Sequence, residues 1–262
     1  MKLSKSANFK KTVWDYYRKY GRDLTWRKTR NPYFIVVSEI MLQQTQVERV
    51  SRMYPIFIKR FPSFKALAQA PVSQVLLAWQ GLGYNRRALN LQRLAQIVTE
   101  TYKGKLPETV HELDALPGIG KGTAGSLSAF VFNKPVAFIE TNIRRVFIHH
   151  FFTNKKGVHD EDILRLVEKA MDKKNPREWY YALMDYGSHL GKKIENPNRR
   201  SRHYGKQSRF EGSDRQLRGE LLREQLKSGH IDARKFAKTH HKSLTQVKKI
   251  LKALKAEGFL SN

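Results

Sequence analysis

Along residues 5–190, apolar side chains recur every three to four positions, and no stretch sustains the two-residue alternation of a half-buried strand. Phe9, Val13, Tyr16, Tyr17 and Tyr20 fall on one helical stripe. Val50, Met53, Tyr54, Phe57 and Ile58 fall on another, which stops at Phe61-Pro62. Residues 72–79 and 90–102 read the same way, the second with Leu91, Leu94, Ala95 and Val98 aligned. Glycine and proline interrupt these runs at Gly81, Gly83, Gly104, Pro107, Pro117, Gly118 and Gly120. A chain patterned in this way buries its apolar surface by packing helix on helix, so the expected fold class is all-α.

Composition shifts at about residue 191. Residues 191–212 are basic, poor in aliphatic side chains and rich in turn formers, which predicts a linker or an extended arm. Periodicity returns with Leu217, Leu221, Leu222 and Leu226, then Phe236 and Ala237, then Leu244, Val247, Ile250, Leu251 and Leu254. Three short helices, the last opened by Ser243, fit either a winged-helix or helix-turn-helix module or a plain helical cap. The lysines of the third helix (Lys242, Lys248, Lys249, Lys252 and Lys255) read equally as a DNA-tracking face or a solvated one.

The 262 residues carry 50 Lys+Arg against 23 Asp+Glu, a formal net charge of +27. So large an excess resists compaction and points to a polyanionic partner, nucleic acid first and an anionic membrane surface second. No run of about 18 apolar residues is present to span a bilayer. The opening stretch, Met1 to Lys11, is basic without an apolar core behind it, so the expectation is an intracellular, DNA-associated protein of the cytoplasm or nucleoid. The chain contains no cysteine, which removes disulfides, thiolate zinc sites and cysteine-ligated iron–sulfur clusters. His189 and His203 alone do not make a metal site.

The most informative loop runs from Leu116 through Pro117, Gly118, Ile119, Gly120, Lys121, Gly122, Thr123 and Ala124 to Gly125, between two helical stripes. Glycines here allow positive φ and let backbone N–H groups approach a phosphate, with the N-terminus of the following helix aimed at the same charge. Gly118, Gly120, Lys121, Gly122 and Thr123 are therefore candidate DNA-backbone contacts that carry no sequence information. An ordinary glycine-rich helix connector is the alternative.

With this hairpin, five further blocks in order resemble the MutY and endonuclease III branch of the helix-hairpin-helix DNA glycosylases. They are Leu24 to Arg27, Ser38 to Val47, Gly81 to Tyr84, Glu140 to Val146 and Ala182 to Gly187. The block Ser38-Glu39-Ile40-Met41-Leu42-Gln43-Gln44 resembles the adenine glycosylases rather than the endonucleases. The resemblance implies a two-lobed glycosylase domain over 1–190, with one lobe at about 30–140 and the other made from the N-terminus and 141–190. The linker at 191–212 would stand where relatives hold an iron–sulfur loop, followed by the small module at 213–262.

The implied activity is base excision repair by a monofunctional DNA glycosylase acting on adenine mispaired with guanine or 8-oxoguanine in double-stranded DNA. The implied protein is a monomer without a resident cofactor, although a structural monovalent cation at the hairpin is compatible with the family. Glu39 matches the catalytic acid, Glu140 the carboxylate that faces the oxocarbenium-like sugar, and Asn142 its companion. Trp26, Arg27 and Tyr181 match the base pocket. Gln43 and Gln44 match the wedge, and Tyr84 matches a residue inserted from the opposite-strand side, with core packing as its alternative role.

Three positions depart from the family pattern. Glu140 stands where an aspartate is usual, adding about 1.5 Å of reach; this either retunes the carboxylate or alters the chemistry, since misplacement by about 1 Å can cost a hundredfold in rate. Gly122 replaces the lysine of the lyases and the Ser or Tyr common in MutY-like proteins, so no nucleophile is offered there. Tyr181 replaces a Glu or Gln at the base edge. A glycosylase for another lesion and a non-catalytic DNA-binding relative are the competing expectations.

Overall fold

The computed structural model describes residues 3–260, with side chains from residue 7 onward, so the first residues of the basic opening stretch lie outside the described part. In chain order the helices are α1 (Leu3–Tyr20), α2 (Pro32–Leu42), α3 (Val47–Arg60), α4 (Phe64–Gln69), α5 (Val72–Trp79), α6 (Arg86–Glu100) and α7 (Val110–Asp114). They continue with α8 (Lys121–Phe132), α9 (Thr141–Phe151), α10 (Asp160–Ala170), α11 (Pro176–Lys193), α12 (Asp214–Ser228), α13 (Ala233–Thr239) and α14 (Leu244–Ala256). Short 3₁₀ turns occupy Thr25–Arg27 and Pro197–Arg200. The all-α class is observed: the described residues form no strand, only an isolated bridge between Val158 and Ser201. No helix among them is long and apolar enough to cross a membrane.

The chain packs as two compact units, Met1–Glu39 with Leu106–Lys206, and Ile40–Lys105 with Gln207–Asn262. This division differs from the expected one. Residues 106–140 join the N-terminal and 141–190 segments instead of forming a lobe with 30–105, and the C-terminal module packs with residues 40–105. Periodicity along the chain reveals which face of a helix is apolar but not which other helix will cover it.

In the first unit, α11 lies along α9 and also packs on α1 and α8, while α7 packs on α8 and α10 on α9. Phe9 of α1 meets Phe147, Phe151 and Trp179 ring to ring, with centroids 5.0–6.1 Å apart. The approach of α9 to α11 requires a glycine. A Cβ on Gly187 would lie 2.4 Å from the Asn142 carbonyl oxygen. A second close approach occurs at Gly125 of α8, where a Cβ would lie 2.4 Å from that of Phe138.

The expected linker is largely part of this unit. The helix α11 runs on to Lys193, and residues 194–202 are pinned to α9 and to the loop that precedes α10. Asn198 Nδ2 donates to the Thr141 carbonyl (3.0 Å), and Val158 and Arg202 exchange backbone bonds with residues 200 and 158 (2.9 and 3.0 Å). Arg200 donates to the Thr153 and Ile148 carbonyls. Asparagine and arginine make these bonds, and a reading based on apolar periodicity does not register them.

In the second unit, α6 packs against α4 and α5, and α5 against α3. Arg87 is its polar hub. The side chain is 8% exposed, and burial pushes its guanidinium down to about 10. Its terminal nitrogens lie 2.5–3.1 Å from the carbonyl oxygens of Ile40, Met41, Gln43, Leu82 and Gly83 and from Thr45 Oγ1. One side chain thereby satisfies the carbonyls of two left-handed turns, those holding Gln44 (φ 53°) and Tyr84 (φ 47°). The C-terminal module is the three helices α12–α14, with α12 packed on α5 and Glu257 bridging Arg86 (2.5 Å) and Arg218 (2.6 Å). Three helices are present as expected, and no strand accompanies them among the described residues, so no β-wing is seen.

Replacing Gly187 with Ala forces α9 and α11 apart. We expect a destabilisation of about 1–3 kcal/mol from overpacking, read as a lowered midpoint of urea unfolding; an unchanged midpoint would contradict the close approach.

Candidate active site

The site is assembled within the first unit from five elements: the 3₁₀ turn at Thr25–Arg27, α2, α8, the start of α9 and α11. Glu39 lies on α2, and in sequence its neighbours Val36, Val37, Ile40 and Met41 are each 0% exposed. Glu39 as a residue is partly exposed, but its carboxyl sits in packed surroundings. Burial pushes it up to about 7; a hydrogen bond from Ser126 and the charge of Arg27 pull it down, and the charge of Glu140 pushes it further up. Glu39 and Glu140 are thus close enough for their charges to act on each other.

Glu140 is the N-cap of α9. Its Oε1 accepts from the backbone N–H groups of Asn142 and Ile143 (2.8 Å each), and its Oε2 from Asn142 Nδ2 (3.1 Å). The extra methylene relative to aspartate is taken up as the side chain curls back over its own helix terminus. Burial raises this carboxyl too, against the pull of those donors and of Arg145. Arg145 also fixes Asn142, donating to its Oδ1 (2.9 Å) and to the Gly187 carbonyl (2.8 Å).

The two carboxyls face different partners. Three N–H donors surround Glu140, a set that suits an anion. Glu39 meets the Ser126 hydroxyl, with Oγ 2.6 Å from Oε2, a partner able to donate or accept. The site therefore sets a carboxyl raised to about 7 beside one ringed by N–H donors, an arrangement that can protonate a leaving group while steadying a cationic centre.

Trp26 (4% exposed) and Arg27 are carried on the 3₁₀ turn. The Arg27 guanidinium forks onto Asp185 of α11, with Nη1–Oδ2 2.9 Å and Nη2–Oδ1 2.7 Å. The backbone N–H and Nε of Arg22 reach the same carboxylate at 2.7 Å each. Burial would raise the Asp185 carboxyl, but Arg27 and Arg22 outweigh it and hold the group below the usual carboxylate range. Arg27 also lies 4.4 Å from the Tyr181 ring centroid, and that ring stacks on Phe130 at 4.6 Å. Tyr181 is thus sandwiched and 4% exposed; burial raises its hydroxyl, and the charge of nearby Glu39 raises it further.

The hairpin between α7 and α8 is in the first unit as well. Thr109 caps α7, its Oγ1 accepting from the Glu112 N–H (3.2 Å). Of the loop's glycines only Gly118 uses the left-handed region (φ 80°); Gly120 is extended (φ −117°) and opens α8. Gly118, Gly120 and Lys121 are exposed, Gly122 and Thr123 partly so. A Cβ at Gly122 would stand 3.1 Å from the Ile139 carbonyl oxygen, so this position favours the smallest residue. Gln43, Gln44 and Tyr84 belong to the second unit. Gln44 is exposed, and Tyr84 is 41% exposed with its hydroxyl bonded by Gln207 Nε2, so the ring is not core packing.

Sequence reasoning passed over Ser126, Asp185, Arg22, Arg87 and Arg145. Asp185 lies inside a block quoted for its resemblance, and Ser126 was visible only as a polar residue on an otherwise apolar helix face. Among the described residues no group of three or more His, Asp or Glu is placed to hold a metal ion. An iron–sulfur cluster held by cysteines does not fit this chain, which has no thiolate to offer and packs Asn196 and Asn198 against Arg145 and Thr141.

A family model described as HhH-GPD superfamily base excision DNA repair protein matches residues 37–173. An adenine DNA glycosylase of Buchnera aphidicola (subsp. Baizongia pistaciae) is 38% identical over 182 residues, 69% of this chain and 52% of the relative. The Homo sapiens adenine DNA glycosylase is 30% identical over 69% of this chain and 35% of its own length. The chain spans about half the length or less of these curated relatives. Among solved structures, a thermostable thymine-DNA glycosylase superposes with a TM-score of 0.65 at 28% identity, covering 71% of this chain and 87% of its own. A trapped endonuclease III–DNA intermediate superposes at 0.58 with 19% identity, over 74% and 87% of the two chains, a likeness of fold.

Exchanging Asp185 for Asn strands two guanidinium groups, one of them buried. The expected loss is about 3–5 kcal/mol at neutral pH. Because the folded carboxyl titrates below its unfolded value, its contribution is complete above about pH 4 and fades as pH falls through the folded value. The gap between wild type and D185N in denaturant midpoint should therefore narrow on acidification, and a gap independent of pH would argue against the ion cluster.

Proposed function

Because the chain belongs to the HhH-GPD superfamily of base excision DNA repair proteins, we propose that it is a monofunctional DNA glycosylase that excises adenine mispaired with guanine or 8-oxoguanine. The observation that carries this reading is the pair Glu39 and Glu140: one carboxyl raised to about 7 by burial, the other held by three N–H donors. Adenine is a poor leaving group as an anion. Glu39 supplies a proton to the departing base, Glu140 stabilises the developing positive charge on the sugar, and water completes hydrolysis of the N-glycosidic bond. Asn142 holds the second carboxylate, and Gly122 offers no amine for a Schiff base, so strand cleavage is not part of the reaction.

The partner is double-stranded DNA, bound by the protein as a monomer without a resident cofactor and in the compartment that holds the chromosome. A flipped base needs the emptied stack filled, a task suited to exposed Gln44, with Gln43 beside it, and to Tyr84. The hairpin, with Gly118, Gly120 and Lys121 exposed and Gly122 and Thr123 partly so, suits a phosphate. The exposed lysines 248, 249, 252 and 255 on one side of α14 extend the cationic surface, in line with the +27 charge. A second reading, excision of a different base, is favoured by one observation: Tyr181, enclosed by Arg27 and Phe130, brings no amide or carboxylate to a base edge.

The test is single-turnover base release from duplexes with adenine opposite guanine or 8-oxoguanine, run beside a panel of other lesions. Adenine should be released, with strand scission only after alkali, and the rate should fall as pH rises through about 7, where Glu39 gives up its proton. Glu39→Gln should lower release by about 10²–10⁴-fold. Preference for another lesion selects the second reading, and no release from any duplex rejects both.

A further inference from the structure

Ser126 sits in α8, five residues past the hairpin's Lys121, and is 2% exposed. Its Oγ lies 2.6 Å from Glu39 Oε2 and 2.9 Å from the carbonyl oxygen of Thr123. Both neighbours lie within hydrogen-bonding range, yet a serine hydroxyl carries one hydrogen. Against a protonated Glu39, the hydrogen goes to the Thr123 carbonyl and Oγ accepts the carboxyl's O–H. Against an ionised Glu39, the hydroxyl rotates and donates to the carboxylate.

We propose that Ser126 is a positioning residue for Glu39, a rotating hydroxyl that keeps this carboxyl hydrogen-bonded both before and after it releases its proton. This rests on the glycosylase reading above for its purpose, although the exchange itself needs only the geometry. When Glu39 passes its proton to the departing base, the carboxylate left behind in a buried setting lacks the donors that surround Glu140. The Ser126 hydrogen turns from the Thr123 carbonyl to Glu39 Oε2. No proton is gained or lost by serine, and the carbonyl gives up only a secondary bond, because helix residues can spare it. The other groups acting on Glu39 are fixed: Glu140 at the start of α9 opposes its ionisation, Arg27 on the 3₁₀ turn favours it, and Tyr181 of α11 is a neutral neighbour. Among them the Ser126 hydroxyl is the one that can change role with the proton. An alanine would fill the same helix position, with a strong helix former, and leave the carboxylate without that donor.

The experiment follows Glu39 directly. Protein labelled with ¹³C at the glutamate carboxyls is titrated by NMR, with the Glu39 signal assigned by its loss in E39Q, and wild type is compared with S126A after both are shown to melt cooperatively. A hydrogen bond to a charged group is worth enough to move a titration by about one pH unit or more, so the Glu39 midpoint should rise by roughly one unit in S126A. In single turnover, the alkaline limb should move up by the same amount and the low-pH plateau fall about tenfold, with DNA affinity unchanged, as expected for a weaker acid with a less stabilised conjugate base. A Glu39 midpoint that is the same in folded S126A and wild type overturns the proposal. A midpoint that shifts in a protein releasing no base supports the hydroxyl's role and removes only the glycosylase reading, so the two failures are told apart.

Discussion

Bringing two carboxyl groups within reach of each other's charge, both away from bulk water, makes it costly for both to be ionised. How that cost is shared decides the chemistry of the first unit. The donors are unequal: Glu140 receives three N–H groups from the start of α9, and Glu39 receives one hydroxyl that can also accept. Burial raises both carboxyls, but the three donors favour the anionic form of Glu140 while Glu39 is pushed up to about 7. Two residues of one chemical type thereby meet different surroundings.

The rest of the first unit keeps those two groups in register. The approach of α9 to α11 is possible because Gly187 has no side chain, and Arg145 then ties Asn142 to the Gly187 carbonyl. Asp185, two residues earlier on α11, draws in Arg22 and Arg27 and so locks the turn that carries Trp26. The Arg27 guanidinium is taken up by this pairing and by its contact with the Tyr181 ring. In the second unit Arg87 plays the comparable part, satisfying the carbonyls of both left-handed turns from a single buried side chain.

Much of this was legible in the residues. The stripes from Phe9 to Tyr20 and Val50 to Ile58 became α1 and α3, and the glycine-rich loop became a hairpin opening α8. Glu39, Glu140 and Asn142 were singled out and come together. Three things escaped. The turn-rich stretch after residue 191 packs through Asn198 and Arg200, whose bonds leave no periodic trace. The division into units separates residues 40–105 from 106–140, because pairing between helices depends on shape across the sequence. Ser126 and Asp185 matter through partners 87 and 158 residues away, a relation invisible in either residue's neighbourhood.

Local pattern was enough to specify the helical class, several of the helices and the glycine-rich hairpin, since each depends on the spacing of apolar residues or on glycine and proline within a few positions. It was enough, too, to bring in a strong positive charge and to rule out thiolate ligands, which are matters of count. The protonation of Glu39, the curling of Glu140 onto its helix, the capture of Arg27 by Asp185 and the enclosure of Tyr181 were settled only when distant segments packed. A carboxyl's proton affinity and a guanidinium's availability are properties of surroundings, and those surroundings exist only after folding.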